Sequence, residues 1–249
     1  MTSTQAANPR SPWNTVWLGV VGVILLILLV SSPIFFRTFL FQPFSAPSGS
    51  MSPTLQQGDS FFVSKYAYGY SHFSLPFSPP LFSGRIFGSE PARGDAVVFR
   101  LPKDTSTDYI KRVVGLPGDR IQMKQGLLTI NGTPVQRERL ADFIGGDACG
   151  SDPAAKVKHW RETLPNGVSH ETLDCVDNGF YDNTNVYTVP AGHFFVIGDN
   201  RDNSTDSRVL SAVGYIPLEN VIGRAGLIFF SLAPGSGGVR SERIGLFVH

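Results

Sequence analysis

The sequence predicts a mainly β protein held behind one N-terminal transmembrane helix and carrying a smaller inserted subdomain. Residues 11–36 contain no charged side chain, and the centre, 16–30, is almost purely aliphatic. The rest of the 249 residues is rich in turn formers, with 26 glycines and 18 prolines. Its apolar runs are short, which suits strands joined by turns better than a helical bundle. From about residue 136 to 185 the chain changes character, with more charge, both cysteines and weak periodicity. That stretch reads as an insertion into the β scaffold, expected to form a smaller α/β subdomain.

A bilayer core of about 30 Å takes about 20 helical residues, and residues 15–36 supply them. Trp13 and Trp17 sit near one end, where indoles favour the membrane interface. A cleavable leader is the competing reading, but its apolar core would be shorter and followed by a small-x-small site. Charge does not settle orientation, since Arg10 and the N-terminal amine are nearly matched by Arg37 and Lys65.

After the anchor, Pro-Phe-Ser-Ala-Pro at 43–47 is extended and leads into Ser-Gly-Ser-Met-Ser-Pro-Thr-Leu at 48–55. Gly49 lets backbone approach a partner closely, and Pro53 steers Ser52 toward an extended conformation. Gly58-Asp59 turns into a strand at 60–63. Residues 66–87 are dense in Tyr, Phe, Pro and Ser, and prolines 76, 79 and 80 argue against regular strands there. The residues leave open whether this loop packs inward or touches lipid. Ala96-Val97-Val98-Phe99 reads as a buried strand. In the next strand, 108–114, Tyr109, Lys111 and Val113 share one face and Arg112 takes the other. A lysine on an apolar face is unusual. Asn131-Gly132 marks a hairpin. Strands resume at 186–189 and 193–197, followed by the polar run 198–208, apolar runs over 221–232, and a tail to His249. The divisions are thus 1–14, 15–36, 37–136, 137–185 and 186–249.

A net charge of +1 gives no sign of a nucleic-acid surface, which would normally show a basic excess. Two cysteines without CxxC spacing argue against a zinc site. The acidic run from Asp199 invites calcium, but an EF-hand needs glutamate at its twelfth position, where Leu210 or Val213 stands. A polar turn braced by Asp–Arg pairs fits it better. None of the five histidines lies in a motif-like setting, and neither Gly-x-Ser-x-Gly nor Ser-x-x-Lys occurs. What remains is a serine on a turn and a lysine on an apolar strand. A desolvated lysine has a lowered pKa, so its neutral amine can act as base toward a hydroxyl. The residues alone do not choose among Ser45, Ser48, Ser50 and Ser52.

Four blocks occur together: Pro-Ser-Gly-Ser-Met-x-Pro-Thr-Leu at 47–55, Arg-Gly-Asp-Ala-Val-Val-Phe at 93–99, Asp-Tyr-Ile-Lys-Arg-Val-Val-Gly-Leu-Pro-Gly-Asp at 108–119, and Gly-Asp-Asn-Arg-Asp-Asn-Ser-x-Asp-Ser-Arg at 198–208. In these blocks and their order, from about 43 to 245 apart from the insertion, the chain resembles the bacterial type I signal peptidases (leader peptidases), membrane-anchored serine–lysine proteases. The resemblance implies a catalytic domain built as an antiparallel sheet or partial barrel, single-pass in the inner (plasma) membrane. Residues 1–14 would be cytoplasmic and the catalytic domain extracytoplasmic. It implies Ser50 as nucleophile, Lys111 as general base, and the Ser48 hydroxyl with the Ser50 N–H as oxyanion hole. Ser204 would orient the lysine amine, Asp206 and Arg208 would brace the site, and Phe44, Ala46, Leu55, Tyr109 and Ile110 would line the substrate groove.

An extended peptide would add along strand edges near 43–47 and 108–111. The implied partners are secretory preproteins with their signal peptides and the lipid bilayer, close to the secretion translocon, with no cofactor and no metal. An exported insertion with one cysteine pair implies a Cys149–Cys175 disulfide. One anchor is evident where some relatives carry two, the insertion is shorter than in larger members, and Ala46 replaces a bulkier residue. Two rivals are a serine–lysine protease dedicated to pilus or conjugation proteins and a non-enzymatic, tethered peptide-binding module.

Overall fold

The computed structural model describes residues 12–144, 148–150, 156–235 and 237–248. Most of the short N-terminal tail expected at 1–14 lies outside them. Helix α1, Pro12–Phe35, continues into one π-helical turn at Phe36–Leu40. The apolar stretch Val16–Leu40 is long enough to cross a bilayer, and its most apolar 18-residue window is not buried against the rest of the chain.

The strands follow in order: β1 (Phe41–Ser45), β2 (Asp59–Ser64), β3 (Ala96–Leu101), β4 (Asp104–Gly115), β5 (Arg120–Lys124), β6 (Leu127–Ile130) and β7 (Thr133–Pro134). Then come β8 (Gln136–Arg139), β9 (Phe143–Ile144), β10 (Lys156–Thr163), β11 (Ser169–Asp174), β12 (Tyr187–Thr188), β13 (His193–Ile197), β14 (Ile216–Pro217) and β15 (Val221–Ser231). A seven-stranded antiparallel sheet runs β1-β2-β15-β3-β4-β13-β14. Two four-stranded sheets accompany it, β12-β5-β6-β7 and β11-β10-β8 with β9 beside β10.

The residues explain these elements. β2 alternates buried and half-buried positions, placing Phe61 and Val63 in the core. The apolar run of β3 is buried on both faces through Phe99. Asn131 and Gly132, both at positive φ, form the two-residue turn between β6 and β7, as a type I′ hairpin demands. The 66–87 segment is short 3₁₀ turns and loop, held to the sheet by Arg85, whose guanidinium donates to the carbonyls of Tyr68, Gly69, Leu218 and Val221.

The insertion departs from expectation in one respect. Where a smaller α/β subdomain is predicted at 137–185, the described residues carry strands and no helix. β10 and β11 pair over Lys158–Thr163 and Ser169–Asp174, burying Val157 and Leu173 with Ala148. Cys149 and Cys175 form a disulfide, Cα to Cα 5.5 Å.

Asp59, at the start of β2, is fully buried and accepts from Arg243, Arg240, the Ser231 hydroxyl and the Gln56 N–H. Arg243 also donates to Thr54 O at 3.0 Å. The C-terminal segment is thereby stitched to the 47–58 loop. Truncating one partner leaves a buried charge incompletely compensated, a loss of about 3–5 kcal/mol. Arg243→Ala is expected at the low end of that range, because Arg240 remains. A urea midpoint equal to wild type would contradict this.

Candidate active site

Ser50 sits on the turn between β1 and β2. That turn is fixed by bonds from Ser52 N–H to Gly49 O (3.0 Å) and from Leu55 N–H to Met51 O (2.9 Å). Met51 and Leu55 bury their side chains beneath it. Lys111 arrives from β4, paired across β3 with Val97. Its Nζ lies 2.8 Å from Ser50 Oγ, 2.8 Å from Ile110 O and 5.4 Å from the centre of the Tyr109 ring. Ser50 is 9% exposed and Lys111 4%. Removal from water lowers the lysine pKa to about 8, opposed by the carboxylates of Asp206 and Asp199 and aided by Arg208.

Ser48 Oγ stands 3.3 Å from Ser50 Oγ. Asp206 and Arg208 form a buried bidentate pair, and Asp206 also accepts from Gly198 N–H. Ser204 is placed differently from the expectation. Its hydroxyl donates to Asp206 Oδ2 at 2.7 Å, and no hydrogen bond joins it to the lysine amine, whose bonds go to Ser50 Oγ and Ile110 O. The 198–208 loop presses directly on the serine turn. A Cβ on Gly198 would lie 2.2 Å from Ser204 Oγ and 2.6 Å from Ser50 O, so this approach requires glycine.

A groove of about 400 Å³ opens over the pair. β1 is the last strand of its sheet, while β4 meets β13 only from Arg112 to Gly115. Residues 104–111 therefore keep one unpaired edge. Phe44, Pro47 and Ser48 line one part of the groove, Tyr109 and Ile110 another, with Asn203 and Thr205 near the pair. Ala46 and Leu55, expected as groove residues, are instead 4% and 0% exposed in the core against Met51 and Phe61. A second cavity of about 770 Å³, lined by Phe36, Phe41, Phe62 and Arg224, contains neither Ser50 nor Lys111.

The described histidines have other surroundings. His72 and His159 pair with Glu219 and Glu171, and His193 contacts Ala191 O. His170 is buried in the insertion, its pKa held well below the usual histidine range by burial and by Arg112. Sequence reasoning missed Arg112, Asp199 and Thr54: Arg112 grips Asp199 bidentately, and Thr54 Oγ1 donates to Asp199 at 2.5 Å. The available signal was the charge of Arg112 on a strand otherwise destined for burial.

The chain matches the family described as signal peptidase, peptidase S26, over residues 16–230. It belongs to that family. It is 44% identical over 203 residues to signal peptidase I of Rickettsia typhi (strain ATCC VR-144 / Wilmington), covering 78% of this chain and 74% of the relative. With signal peptidase I of Rickettsia massiliae (strain Mtu5) identity is 41% over 238 residues, covering 92% and 84%. A crystal structure of a signal peptidase I from Enterococcus faecalis V583 is 23% identical, with 55% of this chain and 97% of that chain covered and a TM-score of 0.31.

This member of the peptidase S26 family is a serine endopeptidase with an apolar N-terminal helix that anchors it to a membrane. The non-enzymatic rival falls with that membership. As a base toward Ser50, Lys111 would act only as the neutral amine, which has the lone pair to take a proton. Cleavage is therefore expected to rise about tenfold per pH unit below the lysine pKa, pass its midpoint near the value of about 8, and level off above it. A flat profile across that range contradicts a lysine base.

Proposed function

We propose that this peptidase removes N-terminal signal peptides from exported preproteins, with Ser50 as nucleophile and Lys111 as general base. The observation that carries this is the 2.8 Å contact between a buried amine and a buried hydroxyl beneath a groove with two open strand edges. As Ser50 Oγ attacks the scissile carbonyl, the neutral Lys111 amine takes its proton. The oxyanion is met by the Ser50 N–H and the Ser48 hydroxyl, the kind of pre-set donors that dominate acyl transfer. The resulting ammonium then protonates the leaving amine, releasing the mature chain and leaving the signal peptide as an ester on Ser50. Water, deprotonated by the same lysine, hydrolyses that ester. Asp206, with Ser204 and Arg208, holds charge and geometry around the amine.

The substrate lies as an extended strand along the free edges of β1 and β4, bonded through main-chain groups. Side chains one and three residues before the scissile bond then face the enzyme, and the one between faces away. Phe44, Tyr109 and Ile110 wall this groove, admitting Ala, Gly or Ser and excluding bulky or charged groups. That is the small-x-small rule of signal peptides. Residues following α1 stand on the extracytoplasmic side of the inner membrane, where the apolar segment of a preprotein emerging from the translocon brings its cleavage site to the groove.

Ser50→Ala and Lys111→Ala are each expected to abolish cleavage of a secretory precursor while leaving the melting temperature near wild type. Replacing His72, His159, His170 or His193 should not abolish it. Activity in either dyad variant would show that the wrong pair has been assigned.

A precursor with Ala one and three residues before the cleavage point is expected to be cut after the nearer Ala. Changing that Ala to Phe or Asp should stop processing, and changing the middle residue should matter little. Efficient cutting of the Phe variant, with the middle residue decisive, would sink this reading of the groove.

A further inference from the structure

The peptide group joining Gly49 to Ser50 is planar and trans, so its oxygen and its N–H point in opposite directions. Whatever fixes the oxygen also aims the N–H. Here the oxygen accepts from Ser52 N–H at 3.0 Å and from Asn200 Nδ2 at 3.2 Å. The N–H, which belongs to the nucleophile, has no hydrogen-bond partner among the described residues. Gly49 imposes little conformational restraint of its own, so the plane of this peptide depends on external bonds.

Asn200 is fully buried and grips both sides of Ser50, because its own N–H donates to Ser50 O at 3.2 Å. Its side-chain amide is itself pinned. Nδ2 makes a second bond to Ala148 O at 2.5 Å, and Oδ1 accepts from Asn203 N–H at 3.3 Å. Ala148 is the neighbour of Cys149, which the disulfide ties to Cys175 at the end of β11. The Cys175 and Val176 N–H groups in turn bond Asp202 on the same loop as Asn200, at 2.7 and 2.9 Å. The insertion thus clamps Asn200 from one side and the serine turn receives it on the other.

We propose that Asn200 is a positioning residue: its amide, held by Ala148 of the insertion, sets the plane of the Gly49–Ser50 peptide and points the Ser50 N–H at the oxyanion. This rests on the assignment of that N–H to the oxyanion hole made above. Only a carboxamide supplies two donors on one atom and an acceptor on the other. Donation to the carbonyl also polarises the N–H opposite.

The test compares Asn200→Ala and the isosteric Asn200→Asp, which keeps an acceptor for Asn203 and loses both donors, with wild type on a precursor peptide. In each, kcat is expected to fall about 10²-fold, the effect of misplacing a catalytic group by a fraction of an ångström to 1 Å. KM should stay within a few-fold, and the pH midpoint of Asn200→Ala, which brings in no charge, should not move. A peptide boronate, whose adduct with Ser50 places an oxygen in the oxyanion position, should bind more weakly by the same factor as kcat falls. The uncleaved precursor peptide should bind Ser50→Ala and Ser50→Ala/Asn200→Ala equally. Wild-type activity in the Asn200 variants overturns the proposal, as does unchanged boronate affinity, a matching loss of peptide affinity, or a shifted pH midpoint in Asn200→Ala. Failure of both variants to fold would make Asn200 a structural residue and overturn it too. Cleavage by Ser50→Ala would instead remove the nucleophile assignment itself, so the two failures are told apart.

Discussion

The proposed chemistry depends on keeping one lysine amine dry beside one serine hydroxyl. Desolvation disfavours the ammonium and brings Lys111 to about 8, but two carboxylates close by, Asp199 and Asp206, pull the other way. Each is neutralised by its own arginine, Asp199 by Arg112 and Asp206 by Arg208, in buried bidentate pairs. Unpaired, either carboxylate would push the lysine back toward its ordinary range and cancel the effect of burial. The ion pairs therefore act less as stabilisers of the fold, a role in which buried pairs are weak, than as a way to keep acceptors near the amine without net charge.

A dry amine is useful only if the hydroxyl cannot wander, and the serine turn is held from three directions. Below it, Met51 and Leu55 join the core shared by β2 and β15. From one side the C-terminal segment reaches Thr54 O and Asp59 through Arg243. From the other, the 198–208 loop comes close enough that position 198 tolerates only glycine. That loop is backed by the insertion through Ala148, the disulfide and the Glu162–Arg201 pair at 2.5 Å. The insertion is thus part of the frame of the site, although its sequence carries none of the four blocks.

What was legible in the chain depended on range. The buried run of β3, the Asn131-Gly132 hairpin and the apolar span are local patterns, and each is present as read. The pairing of Ser50 with Lys111 came from whole motif blocks, since no periodicity links residues 61 apart. Less visible were bonds such as Thr54 to Asp199, 145 residues apart, where neither partner announces the other. Ala46 and Leu55 show the complementary error. Ala46 follows β1 and Leu55 lies on the serine turn, beside groove residues they resemble in sequence, and only the path of the turn decides which of them face the core. The helix expected in the insertion is absent among its described residues because β10 finds partners in β8, β9 and β11, a tertiary choice that overrides weak local propensity.

An unpaired strand edge is ordinarily a hazard, open to any other extended chain. This fold keeps two such edges, on β1 and on the first part of β4, and places Ser50 and Lys111 between them. Pro43 sits in β1 as a proline can only on an edge strand. β1 begins one residue after the π-helical turn that ends the membrane span, so that edge is held at the bilayer, away from chains free in solution. An extended segment presented from the membrane can align with it, while a folded chain offers no strand to add. On the proposed reading, selectivity then starts with backbone accessibility, before any side chain is read.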